Sequence, residues 1–380
     1  MPLSSPRSIR VMSAALMIGA ALGVAAPSVT IAQDQFDLDA LIAAAKKESP
    51  INVYDSTGKI VEMGKAFTQK YGVQATGTKA KPGAQLEMVI REAQAHNVQG
   101  DVFLISDPAA AIAQLMPHQF VTSWLPPDLA GKISAKDQNP LVVSTEANVF
   151  TYNTELNPNG CPVTNIWQLT EPEWKGKVTF QDPLHKSSFD DWFNQLEMHA
   201  DAKIAAAYKA EYGKDLDTSS LSATKQWVKA LAANGPLLTD SDSNASESVG
   251  AAGQGQSFIG MMSTAKFRDN ADKGFKLGIC TGLNPWAGWL YGKVGLIAAG
   301  TDSPNAAKLF IHYVMTAEGF APQTEDGKMS SNSDIGLPAS EPSGVGALLD
   351  QIFPYDVKTA ADDWDARQDW QDLWSLNYTK

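Results

Sequence analysis

The stretch Val178-Thr-Phe-Gln-Asp-Pro-Leu-His-Lys-Ser-Ser-Phe-Asp-Asp-Trp-Phe193 reads as strand, loop and helix, and much of the chain repeats that plan. Val178, Thr179 and Phe180 are β-branched or aromatic, as in a short buried strand. Phe189, Trp192, Phe193 and Leu196 fall at i, i+3, i+4 and i+7, one face of an amphipathic helix. Ser188 followed by Asp191 resembles a capping box and puts the helix start there. Between strand and helix lie Asp182, His185, Lys186, Ser187 and Ser188. Unpaired N–H groups at a helix N-terminus, beside a lysine and hydroxyls, make an anion site. The same letters also fit a plain Asp-Pro turn with a solvated lysine, and the stretch alone does not choose.

The totals narrow the class. Residues 1–32 carry Arg7 and Arg10 and no acid, with an apolar run over 11–26 and Thr30-Ile-Ala32 at a cleavage site. That is a secretory signal, shorter than a membrane span. Without it the charge moves from −12 to −14, 28 basic against 42 acidic residues. Such an acidic chain is not built for nucleic acid or an anionic membrane. The 348 residues that remain (380 less 32) suffice for two lobes. Cys161 and Cys280 are the two cysteines of an exported chain. Paired, they would close a loop worth about 4–5 kcal/mol in the entropy model; otherwise they are two buried thiols.

Reading outward, residues 38–47 form a helix and 51–54 a strand, followed by Asp55-Ser-Thr-Gly58. Ile60, Met63, Gly64, Phe67 and Tyr71 recur at helical spacing up to a stop at Gly72. A second strand is expected over 73–78, a turn at Lys81-Pro-Gly83, a helix around Leu86, Val89, Ile90 and Ala93, and a buried strand over 100–105 ending at Ser106 and Asp107. Strands alternating with helices predict an α/β fold with mostly parallel sheets. Ligands of such sheets bind at the carboxyl ends of the strands, where Ser56, Thr57, Ser106 and Asp107 lie. Residues 141–152 are a longer β run leading into a second lobe. There, helices are expected over 204–212 and 222–233. Strand 237–239 ends at Asp240, strand 257–262 ends at Ser263, Thr264 and Lys266, and strands 276–280 and 293–299 follow. A helix over 305–315 follows, and the acidic tail 362–376 docks through Trp370 and Trp374.

Competing chemistries find little support. The histidines, at 96, 118, 185, 199 and 312, have no zinc-ligand spacing, so no metal and no cofactor is expected. Gly250-Ala-Ala-Gly253 is read as a helix end rather than a phosphate loop. No nucleophile–base pair is visible, so the protein is expected not to be an enzyme; a secreted hydrolase using His185 with Ser187 or Asp182 is the remaining catalytic alternative. Trp286 is either a surface that stacks on a ligand or core at the lobe junction.

Taken in order, Asn52-Val-Tyr-Asp-Ser-Thr-Gly58, Ala66-Phe-Thr-Gln-Lys-Tyr-Gly72, Gly100-Asp-Val-Phe-Leu-Ile-Ser106, Val149-Phe-Thr-Tyr-Asn153, Val178-Thr-Phe-Gln-Asp-Pro183 and Asn305-Ala-Ala-Lys-Leu-Phe-Ile311 resemble the periplasmic solute-binding proteins of ABC importers. The resemblance is to the extracellular family 1 cluster of ferric-iron, thiamine, polyamine, phosphonate and sugar-phosphate binders. It implies a two-lobe, type II-like binding protein in the periplasm that closes on a small-molecule ligand and delivers it, as a monomer, to an inner-membrane permease. It places the crossing hinge segments near 143–153 and 278–291. Lobe 1 takes 33–147 and 286–345, lobe 2 takes 148–285, and 346–380 form a helical tail. The ligand loops it implies are 56–58 (Ser56, Thr57, Gly58), 81–85, 106–107 (Ser106, Asp107), 182–188 (Asp182, His185, Lys186, Ser187, Ser188), 240–244 (Asp240) and 263–266 (Ser263, Thr264, Lys266). Iron-binding members carry a Tyr-Tyr pair where this chain has Met261-Met-Ser-Thr-Ala-Lys266. That departure favours a phosphorylated or carboxylated solute over ferric iron, with polyamine or ferric-chelate binding as the alternative.

Overall fold

The strand, loop and helix at 178–193 recur along the chain in a computed structural model that describes residues 36–379. The signal segment expected over 1–32 lies outside the described residues. The strands are β1 (Ile51–Asp55), β2 (Ala75–Lys79), β3 (Val102–Ile105), β4 (Val121–Ser123), β5 (Val142–Asn153), β6 (Val178–Gln181), β7 (Leu237–Thr239), β8 (Ile259–Ser263), β9 (Leu277–Ile279), β10 (Gly288–Ala298), β11 (Met329–Ser330) and β12 (Ile352–Phe353). The helices are α1 (Leu38–Ala45), α2 (Lys59–Tyr71), α3 (Pro82–Gln94), the short α4 (Pro108–Ala110), α5 (Ser188–Tyr212), α6 (Ala223–Ala233), α7 (Asp242–Gly250), α8 (Asp269–Asp272), α9 (Pro304–Val314), α10 (Ala317–Thr324) and α11 (Ala360–Asn377).

The main path of the sheet runs β2-β1-β3-β10-β5-β8-β6-β7. β1 is parallel to β2 and β3, and β6 is parallel to β7 and β8. Between these triplets stand β5 and β10, antiparallel to each other and to the strands they join. The result is the expected two α/β lobes sharing two long strands, with both crossings; the sheet is mixed, parallel within each outer triplet and antiparallel through β5 and β10. The apolar runs of β3 and β10 are buried on both faces, as central strands must be. β2, Ala-Thr-Gly-Thr-Lys, is polar because it is an edge. Helix α2 lies close against it, and a Cβ on Gly77 would strike the Ile60 carbonyl.

Two local readings change. Residues 204–212 are not a separate helix but the end of the 25-residue α5. Lys81-Pro-Gly83 is not a free turn but the start of α3, with Pro82 in its first turn. The capping box also fails. α5 does begin at Ser188, yet no side chain caps it, and the Asp191 carboxylate turns to Tyr291 and Arg367 instead.

The second lobe packs on aromatic rings. Phe189, Trp192 and Phe193 of α5 meet Trp227, Trp289, Trp370 and Trp374, with Trp192 and Trp289 stacked at 5.4 Å. Trp370 and Trp374 are buried, so the tail docks as its spacing implies. Cys161 and Cys280 form a disulfide across 119 residues.

Candidate functional site

Parallel strands leave their carboxyl ends on one side, and the hydroxyls and charges singled out above gather there. In the first lobe, Ser56 after β1 and Ser106 after β3 have hydroxyls 3.3 Å apart. Asp55 accepts from the Thr57 amide, and Gly58 is exposed. In the second lobe, Lys186 reaches Asp242 at 3.3 Å and Lys266 reaches the Ser243 hydroxyl at 2.9 Å. The loops after β6 and β8 therefore converge on the first turn of α7. Two polar contacts join the lobes here: the Ser187 hydroxyl donates to Asp107 at 3.4 Å, and Arg268, just after β8, pairs with Asp326 of the first lobe.

Other candidates serve their own loops. Asp182 accepts from the Leu184 amide and Ser263 from the Ala265 amide. Ser188 is buried in α5, and His185 and Asp240 are exposed. In the 81–85 loop, buried Gln85 bonds the Ala80 carbonyl. Thr264 is different: its hydroxyl is buried without a hydrogen-bond partner, and a Cβ on Gly327 would lie 2.8 Å from it. Trp286 is not brought to this cluster. It packs on Phe353 and under the Lys203 ammonium, beside a small apolar cavity that Ile166, Trp192 and Ile204 also line.

Between the two sets of strand ends, β5 and β10 carry charges that periodicity does not reveal. Lys293, buried in β10, bonds Asp55 at 2.6 Å and Gln323 at 3.4 Å. Burial lowers its pKa to about 8, although Asp55 opposes the shift. Glu146 of β5 pairs with Lys328 at 3.4 Å. Burial works against the Glu146 charge, but Lys328, Lys186 and Lys293 outweigh it and lower the pKa. Lys328 is raised, its own burial more than offset by Glu146 and Asp55. The sequence signal for these residues was present: a lysine inside Tyr291-Gly-Lys-Val-Gly-Leu-Ile must find a buried partner.

Burial also lowers the Lys266 pKa, and Asp242 and Asp269 only partly restore it. Its hydrogen bond goes to a neutral hydroxyl, whereas Lys186, Lys293 and Lys328 each face a carboxylate. Such a half-desolvated ammonium next to a helix N-terminus has unused capacity for an anion.

Two α/β lobes, joined by two shared strands and meeting at their strand ends, define the two-lobe periplasmic binding-protein fold. Residues 62–340 match the family model for bacterial extracellular solute-binding proteins, and the chain belongs to that family. Binding a solute for an ABC importer is the function that membership carries. Among solved structures, the fold is similar to iron-bound HitA from Pseudomonas aeruginosa, with TM-score 0.65 and 14% identity over 85% of this chain and 99% of that one. AfuA from Actinobacillus pleuropneumoniae, solved with fructose-6-phosphate, has TM-score 0.62 and 18% identity over 87% and 98%. The substrate-binding protein of an ABC transporter from Agrobacterium tumefaciens has TM-score 0.63 and 14% identity over 88% and 96%. No curated protein sequence matches the chain.

Proposed function

We propose that the protein captures a small anionic organic solute, phosphorylated or carboxylated, between its lobes in the periplasm. It then delivers the solute, as a monomer, to an inner-membrane permease. Lys266 carries this reading: a partly buried cation bonded to the Ser243 hydroxyl at the first turn of α7. Lys186 stands at the same turn, and the Thr264 hydroxyl is a spare donor two residues away. Ser56, Thr57 and Ser106 supply hydroxyls from the facing lobe. An anion with its own hydroxyl groups, such as a sugar phosphate or a phosphonate, suits both walls. AfuA, which shares the fold, was solved with a sugar phosphate.

A cationic solute fits less well, because four of the carboxylates around the cleft already have cations. Asp55 has Lys293, Glu146 has Lys328, Asp242 has Lys186 and Asp107 has Arg367. Ferric iron needs phenolate, and Met261 and Met262 are buried core residues. The nearby Tyr291 and Tyr355 are phenols that burial, with Asp191 beside them, holds well above their ordinary pKa.

The test is a thermal-shift panel of sugar phosphates, phosphonates, dicarboxylates, polyamines, thiamine and ferric citrate. A ligand at 100 times its Kd adds about 2.7 kcal/mol, an easily read rise in Tm. A rise with one class of anion, lost in Lys266→Ala, is expected. A rise confined to polyamines or ferric citrate overturns the anionic assignment.

A further inference from the structure

Helix α11 lies along α5 as an antiparallel polar ladder inside an otherwise aromatic interface. Its residues Asp363, Arg367 and Gln371 are four apart and share one face. Asp363 accepts from Asn194 and Gln195, each at 2.8 Å. Arg367 forms a two-pronged pair with Asp191, Nε to Oδ1 and Nη2 to Oδ2, both at 2.8 Å. Gln371 donates to Asp190 at 2.9 Å. All these partners belong to the second lobe. Arg367 alone of the three also reaches the first: its Nη2 bonds Asp107 Oδ1 at 2.6 Å, just past the end of β3. The guanidinium is buried, and the Tyr291 hydroxyl donates to the same Asp191 at 2.5 Å.

A buried guanidinium can satisfy two carboxylates at once because its donors form a rigid planar fork. Here one carboxylate belongs to each lobe, and the Ser187–Asp107 contact at the cleft rim lies against the same Asp107. Hinge opening must separate Asp107 from Ser187. The tail is fastened to α5 by Asp363, Gln371, Trp370 and Trp374 and rests against α4 of the first lobe, where its polar bond is Arg367 to Asp107; opening must loosen that bond along with the Arg268–Asp326 pair. We propose that Arg367 is a positioning residue for solute capture: from the C-terminal helix it ties the end of β3 to α5 and sets how far the cleft opens. This rests on the solute-binding fold and not on the charge of the solute.

The test needs no ligand. Small-angle X-ray scattering of the purified protein compares wild type with Asp107→Asn and Arg367→Ala. Asp107 caps α4 by accepting from the Ala110 amide, and asparagine caps as well as aspartate, so Asp107→Asn keeps the local fold while losing the charge that holds Arg367. Both variants are expected to show a larger radius of gyration than wild type, with unchanged circular dichroism. Guanidinium chloride at tens of millimolar, far below denaturing concentration, should return Arg367→Ala toward the wild-type radius. Urea or sodium chloride at the same concentration should not. If Arg367→Ala does not fold, Asp107→Asn decides alone. A wild-type radius in Asp107→Asn overturns the proposal. So does an Arg367→Ala protein that loses Tm but neither expands nor responds to guanidinium, because a tail that merely stabilises would behave that way.

Discussion

At the middle of β5 and β10, the lysines Lys293 and Lys328 are set among Asp55 and Glu146; along α11, the single Arg367 is set among Asp107, Asp190, Asp191 and Asp363. Both clusters are buried, and each holds at least one close ion pair that offsets part of the cost of desolvation. They differ in balance and in place. The strand cluster has as many cations as anions, and Lys293 of β10 reaches past β3 to the end of β1 and to α10. The tail cluster is short of cations and spans the seam between lobes. A balanced cluster inside a sheet stabilises the frame on which the lobes turn. An acid-rich cluster across the seam leaves each carboxylate dependent on the tail, and therefore sensitive to movement and to pH.

The largest effect should come from breaking the balanced cluster. Lys293→Met keeps the length of the side chain and leaves Asp55 buried without its ion-pair partner. It is expected to cost about 3–5 kcal/mol, read as a lower urea midpoint at neutral pH. Adding Asp55→Asn should recover much of that loss; no recovery would mean that Lys293 acts through packing and not charge. On the tail side, Tyr291→Phe removes one donor to Asp191 without opening a cavity. A hydrogen bond to a charged group contributes about 1.5–3 kcal/mol, so a smaller fall in the urea midpoint is expected there.

The pH dependence separates the clusters without ranking them by size. Burial raises Asp190 from 3.8 to about 8 and Asp363 to about 7, with Asp191 beside each adding to the rise. The folded chain thus keeps protons that the unfolded chain has lost. The stability these groups contribute is complete below about pH 4 and declines as pH rises to their folded values. Lys293 runs the other way. Its folded pKa of about 8 lies below 10.5, so its contribution grows from about pH 8 to pH 10.5. Asp190→Asn should flatten the falling limb and leave the rising one. Chemical denaturation at intervals from pH 4 to 10 would show both, and an unchanged falling limb would remove Asp190 from it.

Much of this frame is legible in the chain because its signals are local. The strand–loop–helix units stand out where apolar residues recur with period two and then 3.6, and strand 237–239 falls where read. The sequence pattern breaks α5 into two pieces because residues 197–203 face outward and keep only small Ala200 on the buried side, so its apolar stripe fades. The hydroxyl and lysine loops could be placed at strand ends because parallel topology puts them there. The tail ladder is illegible in the sequence for another reason: Arg367 and Asp191 are 176 residues apart, and Asp363, Arg367 and Gln371 look like a solvated face until α5 covers them. The Trp370 and Trp374 spacing reported that the helix docks, but not which polar residues dock with it.

The smallest stability effect, and the sharpest test of what each region is for, belongs to Lys186. Its pair with Asp242 is partly solvated at 3.3 Å, so Lys186→Ala should change stability by less than about 1 kcal/mol. If the loop after β6 holds an anion, the same substitution should weaken binding of the anion found in the thermal-shift panel by about 1.5–3 kcal/mol, read by calorimetry. Such a split, with little lost in folding and much in binding, would set this rim apart from both buried clusters. On that outcome the buried clusters would keep their charges for the fold and its hinge, whereas Lys186 would keep its own for the solute. Equal small losses in folding and binding would instead leave Lys186 as a solvated neighbour of Asp242 and shift the anion contact onto Lys266.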